Sequence, residues 1–246
     1  MKTKLHLARW LVMILSAPIS LSQAQEPSKR FSIWDIHLGD AASAIPDEYV
    51  NYACGTNGGP PSRKLPNFAA FKTCKPGADG LHEVYFEYDD ELEYVARALD
   101  NEYQIRKYAG TTVYEFPVVA SLLIDDAGVV RGERMATDPR QQLSRGRKTF
   151  WELGNFLRQR YGEDNWTCTD LPPDEGENQI GPTFLKNHCE KNVEGMHLVL
   201  EQRLLQKKGQ QFIDPVTGDK QAQAFESGTR FEIYEAALPP QSSGSK

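Results

Sequence analysis

Residues 113–136, with the sequence VYEFPVVASLLIDDAGVVRGERMA, carry the strongest signal of antiparallel strand pairing. Two apolar runs rich in β-branched residues, 113–124 and 129–136, flank the tetrapeptide Asp125-Asp126-Ala127-Gly128. Because valine and isoleucine favour strands while aspartate and glycine favour turns, this stretch predicts a β-hairpin. The same reasoning predicts further strands, which lie over 81–88, 196–205 and 230–234.

Three segments carry the signals of short helices, at 40–52, 91–100 and 150–161. The first is interrupted by Pro46, and the second follows Asp89-Asp90 as a potential N-terminal cap. The third has the clearest helical spacing of apolar residues, at Leu153, Phe156 and Leu157. Helices, a cysteine loop and then strands, twice over, predict an α+β fold in which short helices cover one face of antiparallel sheet.

The composition is that of an ordinary globular protein of 246 residues, with 39% hydrophobic and 25% charged residues. Its 28 lysines and arginines against 34 aspartates and glutamates give a formal net charge of −6. An acidic chain lacks the positive field that sequence-independent nucleic-acid binding requires, so we expect no nucleic-acid partner. The only long apolar run of the sequence lies at the N-terminus, which excludes a protein with several membrane spans.

Residues 1–24 have the organisation of a secretory signal peptide. Basic residues precede an apolar stretch at 10–19, and Ser22-Gln23-Ala24 supplies the small residues of a cleavage site. A retained membrane anchor is the alternative, but this stretch has about half of the roughly 20 residues that span a bilayer. We therefore predict cleavage, no transmembrane segment in the mature chain, and a periplasmic or secreted location.

Four cysteines fall into two pairs of nearly equal spacing, Cys54 with Cys74 and Cys168 with Cys189. Four cysteines allow three connectivities, among which the closure of short loops favours the local one. A zinc site is the alternative, but neither pair has the close spacing of a zinc knuckle. Disulfides also persist in the compartments that exported proteins reach, so we predict two local disulfides.

The two cysteine loops are followed by the same pattern, C-x₅-G-[L/M]-H-x-V, which contains His82 and His197. Such self-similarity predicts two tandem copies of one unit, with chance similarity between two disulfide loops as the alternative. The predicted boundaries are a first α+β unit at 25–138, a basic linker at 139–149, a second α+β unit at 150–238 and a disordered tail at 239–246.

The tandem organisation of short helices, antiparallel strands and one disulfide loop per copy resembles the BamE/SmpA-like periplasmic domains and the tandem β-lactamase-inhibitor-protein fold. The Ile36-His37-Leu38-Gly39 turn before the first predicted helix is similar to the strand-glycine-helix opening of such domains. The resemblance implies a non-catalytic protein-binding module, and it supplies no catalytic residues to carry over to this chain.

Acidic and tyrosine residues are concentrated just after the first cysteine loop. Two carboxylates flanking a sugar can hydrolyse a glycosidic bond, so the 83–91 region is the candidate site of a glycan hydrolase. Charge runs are more often solvated surfaces or helix caps. The candidates for ligand binding are His82, Glu83, Tyr85, Asp89, Asp90 and His197.

Two further arrangements could bind an ion. The loop Gly55-Thr56-Asn57-Gly58-Gly59 could form a nest of backbone amides around an anion, although a turn held by a disulfide is the simpler interpretation. His82 and His197 could share a metal ion, but two histidines are too few ligands for it. We therefore predict no metal and no cofactor.

Motifs of nucleophilic catalysis are missing from the sequence, which has no G-x-S-x-G pattern. Cysteines that are paired in disulfides are not available as nucleophiles. We therefore predict a non-enzymatic, exported binding or assembly module that engages an unknown protein or an envelope polymer. The alternative is a secreted glycan hydrolase that uses carboxylates in the 83–91 region.

Overall fold

The computed structural model describes residues 31–88, 98–100, 111–138, 146–208, 211–213, 220–222 and 225–236. The predicted signal peptide at 1–24, the candidate residues Asp89 and Asp90, most of the predicted helix at 91–100 and the predicted tail at 239–246 lie outside these residues.

Strands make up most of the regular structure in the described part of the chain. They are β1 (Val50–Cys54), β2 (His82–Glu87), β3 (Thr112–Val113), β4 (Phe116–Ile124), β5 (Val130–Thr137), β6 (Thr167–Asp170), β7 (Glu177–Asn178), β8 (Leu185–Val193), β9 (Met196–Lys207), β10 (Gln211–Ile213), β11 (Lys220–Ala222) and β12 (Phe225–Glu235). The helical elements are α1 (Leu153–Arg160) and 3₁₀ turns at Ile33–Asp35, Phe68–Thr73 and Gly146–Glu152.

Within the described residues, ten of these strands form one antiparallel sheet. Its main path runs β1-β2-β4-β5-β12-β9-β8-β6, with β3 paired to β4 and β7 paired to β9. The remaining two strands, β10 and β11, form a separate hairpin. The pairing of β5 with β12 places Arg134 opposite Glu232 and joins the strands of the first half of the chain to those of the second.

The predicted α+β fold is wrong, because the described structure is mostly antiparallel sheet with little helix. The segment predicted as a helix at 40–52 instead forms turns and then enters β1 at Val50. The reason is its backbone bonding to the central hairpin: the Gly39 amide donates to the Val130 carbonyl at 2.8 Å, and the Ala42 amide donates to the Gly128 carbonyl at 2.8 Å. These tertiary bonds override a weak local helix preference.

The other local predictions in the described residues are confirmed, except that the strand run predicted at 113–124 is interrupted by a turn at Tyr114 and Glu115, between β3 and β4. The hairpin of 113–136 is β4, a turn and β5, and the strand predicted at 81–88 is β2. The strands predicted at 196–205 and 230–234 lie within β9 and β12. The helix predicted at 150–161 contains α1 and the end of the preceding 3₁₀ turn.

One face of the sheet, called here the core face, packs against the helical elements. Buried side chains of this face include Phe86, Leu122 and Phe231, and Phe68 and Leu157 of the helical elements belong to the same core cluster. Since residues opposite each other in an antiparallel pair point to the same side, the register places strands from both halves on this face. The core is therefore shared between the two halves of the chain.

Polar bonds from the core face fix the beginning of α1. The Thr229 hydroxyl donates to the Phe150 carbonyl at 2.9 Å and accepts from the Gly154 amide at 3.2 Å. The Gln202 side-chain amide donates to the Trp151 carbonyl at 2.7 Å. A Cβ atom on Gly154 would lie 2.5 Å from this amide, so only glycine lets the helix approach so closely.

The opposite face, called here the polar face, carries buried charges. Arg134 of β5 is 3% exposed and Glu232 of β12 is 6% exposed. They form an ion pair in which the Arg134 Nε lies 2.5 Å from a Glu232 carboxylate oxygen. Buried charges of this kind persist only when they are paired. The register of β5 against β12, which places Arg134 opposite Glu232, is therefore required for the stability of this face.

Both predicted disulfides are present, Cys54–Cys74 and Cys168–Cys189, with sulfur atoms 2.04 and 2.09 Å apart. The first links β1 to the end of a 3₁₀ turn, and the second links facing residues of β6 and β8. The two bonds agree with a protein that folds outside the reducing cytoplasm. Among the described helices, none is long and apolar enough to cross a membrane.

We expect the Cys168–Cys189 disulfide to be reduced before Cys54–Cys74 under native conditions. Cys168 is exposed at the sheet edge although its partner Cys189 is buried, whereas Cys54 and Cys74 are both buried, at 7% and 4% exposure. Thiol–disulfide exchange requires access to one sulfur atom of the bond, which only the second disulfide offers from an exposed residue. Limited reduction, alkylation and peptide mass spectrometry would measure the order. The loops have nearly equal lengths, so the two bonds are matched controls for each other. Equal rates of reduction would contradict the expectation.

Candidate functional site

The glycine-rich loop after β1 forms the anion nest that its sequence allows, and the anion is Glu83. The amides of Asn57 and Gly58 donate to the Glu83 carboxylate at 2.6 and 3.1 Å. Both residues have left-handed backbone angles, with φ of 61° and 79°. Arg134 completes the arrangement with a guanidinium nitrogen 2.7 Å from the same carboxylate. Glu83 is therefore held in a structural role by charge and backbone donors.

Arg230 anchors this loop to β12. Its guanidinium donates to the Asn57 carbonyl at 2.7 Å and to the Asn57 side-chain oxygen at 2.6 Å. It also pairs with Glu232. These bonds hold the loop over the polar face, and they depend on the side chain of Arg230, which belongs to a distant strand.

The remaining described carboxylate of the predicted hydrolase region is Glu87, which is also engaged. It accepts hydrogen bonds from the Asn51 side chain at 2.5 Å and from the Tyr85 hydroxyl. Glu83 and Glu87 are four positions apart on one strand, or about 13 Å between their Cα atoms. In the described part of the 83–91 region, neither carboxylate is free to serve as the acid or the base of glycoside hydrolysis.

The two candidate histidines lie far apart. His82 is on β2 and His197 is on β9, with β4, β5 and β12 between them, which corresponds to about 19 Å at the usual strand spacing. His82 contacts the Cys74 carbonyl at 2.7 Å and an Asp126 carboxylate oxygen at 3.0 Å. The His197 Nδ1 lies 2.9 Å from the Asn192 side-chain oxygen. The two rings cannot share an ion, and the described residues contain no group of three potential metal ligands.

The structure instead brings together aromatic residues that were not among the predicted site residues. The rings of Tyr114 and Phe156 are stacked, with centroids 5.3 Å apart and planes inclined by 20°. The Phe116 ring lies 6.2 Å from Phe156. Tyr114 is 41% exposed and Phe156 is 42% exposed. We call Tyr114, Phe116 and Phe156 the aromatic patch.

Tyr114 occupies this position at a cost in backbone strain. Tyr114 and Glu115 form the two-residue turn between β3 and β4, and both have positive φ angles, 49° and 67°. Such turns usually contain asparagine and glycine, because each other residue costs about 1–2 kcal/mol in the left-handed conformation. Strain that is kept at an exposed position is a mark of functional sites.

A shallow groove continues from the aromatic patch along the exposed side of α1. It consists of two adjoining depressions of about 220 and 320 Å³, which share Asn155 and Gln159. The first is also lined by Trp151, Glu152 and Phe156, and the second by Arg158 and Glu163. We call this feature the helix groove.

Sequence reasoning missed this surface because it grouped Phe156 with the core positions of the helix. Leu153 and Leu157 are fully buried, whereas Phe156 points outward and is 42% exposed. The available signal was the tight Val113-Tyr114-Glu115-Phe116 connection, where a tyrosine and a glutamate stand in place of the usual asparagine and glycine.

Comparison with family models, curated proteins and solved structures found no match to this chain. The resemblance to BamE/SmpA-like domains and to the β-lactamase-inhibitor-protein fold stays a prediction. The function must therefore be argued from the geometry of the aromatic patch and the helix groove.

Proposed function

We propose that this protein is a periplasmic or secreted binding module, without catalytic activity, that engages a component of the cell envelope. Its binding surface is the aromatic patch together with the helix groove. The observation that carries the proposal is the stacked and exposed pair of Tyr114 and Phe156 beside a strained turn. The two disulfides support the extracytoplasmic location.

Energetic considerations favour a binding role for the aromatic patch. Large aromatic side chains supply most of the free energy at binding surfaces, because each covers a wide apolar area with few rotatable bonds. The stacking of Tyr114 on Phe156 and the contact with Phe116 restrict both rings before a ligand arrives. A surface that is ordered in advance loses less conformational entropy on binding.

The anchoring of α1 supports the same role. Thr229 and Gln202 attach the start of the helix to the core face of the sheet. Phe156 is therefore carried by an element that is joined to the core by hydrogen bonds, while Tyr114 is carried by the β3–β4 turn. A binding surface built on rigid elements keeps its geometry better than one built on a long loop.

We expect the double variant Tyr114→Asn and Phe156→Gln to bind the envelope fraction of the exporting cells at least tenfold more weakly than the wild type. Asparagine tolerates the left-handed conformation of the turn, and glutamine suits an exposed helix position, so folding should be preserved. Co-sedimentation with the envelope fraction measures the binding, and thermal unfolding verifies the fold.

The matched control is Leu171→Ala, which removes another exposed apolar side chain outside the aromatic patch and the helix groove. This variant should co-sediment like the wild type. Co-sedimentation of the folded double variant at wild-type strength would show that the aromatic patch is not the binding surface.

A further inference from the structure

We propose that the ligand of the helix groove is a neutral polysaccharide chain, an inference that rests on the proposed binding function. The groove combines aromatic faces, side-chain amides and an open course along a helix. The aromatic faces favour the apolar side of a sugar ring, the amides favour hydroxyl groups, and the open course favours a segment of a polymer. A polysaccharide combines all three properties.

The aromatic end of the groove suits the apolar face of a sugar ring. Trp151 and Phe156 line the first depression. The face of an aromatic ring carries partial negative charge, and it therefore attracts the weakly positive C–H groups on one side of a pyranose. An aromatic ring offers a flat apolar surface to the C–H face of the sugar. An aliphatic pocket supplies such a flat contact less well.

The centre of the groove suits hydroxyl groups. Asn155 and Gln159 are one helical turn apart on the same side of α1, and both are exposed. The Asn155 oxygen accepts a hydrogen bond from the Gln202 amide at 3.4 Å, and the amide groups of both side chains include donors that suit a sugar hydroxyl, which is itself a donor and an acceptor. Neutral partners also avoid the large penalty of removing an unpaired charge from water.

The charges around the groove do not select a polyanion. The second depression is lined by one cation, Arg158, and one anion, Glu163, and the first is lined by Glu152. The chain as a whole carries a formal net charge of −6. An anionic polymer would be repelled at long range and would find a single arginine in the groove.

The shape suits a segment of a polymer. The two depressions adjoin through Asn155 and Gln159, so the groove follows the helix instead of closing around one small molecule. From Glu152 to Gln159 the helix rises by about 10 Å. The leucines of α1, which a protein partner would use as apolar anchors, are buried on the other side at Leu153 and Leu157.

The experiment measures binding of the full exported protein to cellulose, chitin and xylan, with alginate as an anionic polysaccharide. We expect binding to at least one neutral polysaccharide and not to alginate. The double variant Asn155→Ala and Gln159→Ala should bind at least tenfold more weakly. The matched control Asn178→Ala, which removes an exposed amide on β7, should bind like the wild type.

Parallel binding to the envelope fraction, before and after protease treatment, separates this inference from the proposed function. Binding that survives the protease and is competed by a neutral polysaccharide supports a polysaccharide ligand, whereas protease-resistant binding without such competition, as a lipid would give, overturns it. Binding that the protease abolishes, together with no binding to the neutral polysaccharides, overturns the polysaccharide ligand and leaves a protein-binding module. Binding to alginate alone also overturns it. An untreated envelope fraction that binds nothing overturns the proposed function itself.

Discussion

Replacing Arg134 with methionine is expected to lower the free energy of unfolding by about 3–5 kcal/mol, because it leaves buried carboxylates without their cation. Arg134 contacts Glu83 at 2.7 Å and Glu232 at 2.5 Å, and its side chain is 4% exposed. Typical domains are stable by about 5–15 kcal/mol, so this loss is a large share of the total. Urea denaturation of the exported protein measures it.

The matched control is Arg131→Met on the same strand. Arg131 also contacts two carboxylates, Asp125 at 2.7 Å and Glu235 at 2.6 Å, but its side chain is 30% exposed. Solvent screens such a pair, so we expect a loss of about 1 kcal/mol or less. Equal losses in the two variants would contradict the assignment of a buried structural role to Arg134.

The pH dependence gives a second readout of the same variant. Burial would raise the pKa of Glu232, but the charges of Arg134 and Arg230 and a hydrogen bond from Tyr234 hold it below its ordinary value. The stabilisation that this carboxylate supplies is therefore present above its ordinary pKa, and it is lost as the pH falls through the depressed pKa. Without Arg134, only Arg230 and Tyr234 still oppose the burial of Glu232, so its pKa should rise and the variant should lose less stability than the wild type as the pH falls below neutral.

Alternation along the strands predicted which side chains share a face, but not whether that face is covered. In β2 the residues Val84 and Phe86 lie on the core face, and Glu83 and Glu87 lie on the opposite face, as the two-residue period of a strand requires. The pattern gives no sign that Glu83 is bound in an amide nest. That fact depends on the Asn57 loop, which a local pattern cannot place.

The pairing of β5 with β12 could not be predicted, because a local pattern fits any antiparallel neighbour equally well. Arg134 and Glu232 are 98 residues apart in the chain. Charged residues in a strand are typical of an exposed edge, yet Glu133 and Arg134 are buried inside the sheet. The burial of Arg134 is possible only because a distant strand supplies its partner Glu232.

The candidate site depended on the same kind of distant contact. A helix turns by about 100° per residue, so Phe156 points about 100° away from Leu157 and reaches a different environment. The spacing of Leu153, Phe156 and Leu157 correctly predicted the helix. Of these three residues, however, only Leu153 and Leu157 lie on its buried side. Contact between Phe156 and Tyr114 requires α1 to pack beside β3, which no local signal predicts.

Replacing Glu133 with glutamine is expected to stabilise the protein at pH 8 by as much as about 5 kcal/mol. Glu133 lies on the core face of β5, opposite Leu122 and Ile233, and is 4% exposed. Burial raises its pKa from the ordinary value of 4.5 to about 8, and the positive charge of Arg160 opposes this effect only in part. The folded protein therefore holds a proton on this carboxyl group at neutral pH.

The sign of the pH dependence follows from proton binding. Between pH 4.5 and pH 8 the folded state keeps the Glu133 proton that the unfolded state has released. The free energy of unfolding therefore falls as the pH rises through this interval, by about 1.4 kcal/mol for each unit of pKa difference. Glutamine has nearly the same shape and no proton to release, so the variant should lose this part of the pH dependence. Urea denaturation at pH 5 and pH 8 measures the difference.

The matched control is Glu232→Gln, which changes a buried glutamate of the same sheet on the polar face. Its carboxylate is stabilised by Arg134 and Arg230, so its loss should destabilise the protein at pH 8. The two substitutions are chemically identical and should have opposite signs, because one removes an unpaired buried carboxyl group and the other removes a paired one. If Glu133→Gln changed the free energy of unfolding by the same amount at pH 5 and at pH 8, the Glu133 carboxyl group would not hold its proton in the folded core across this range.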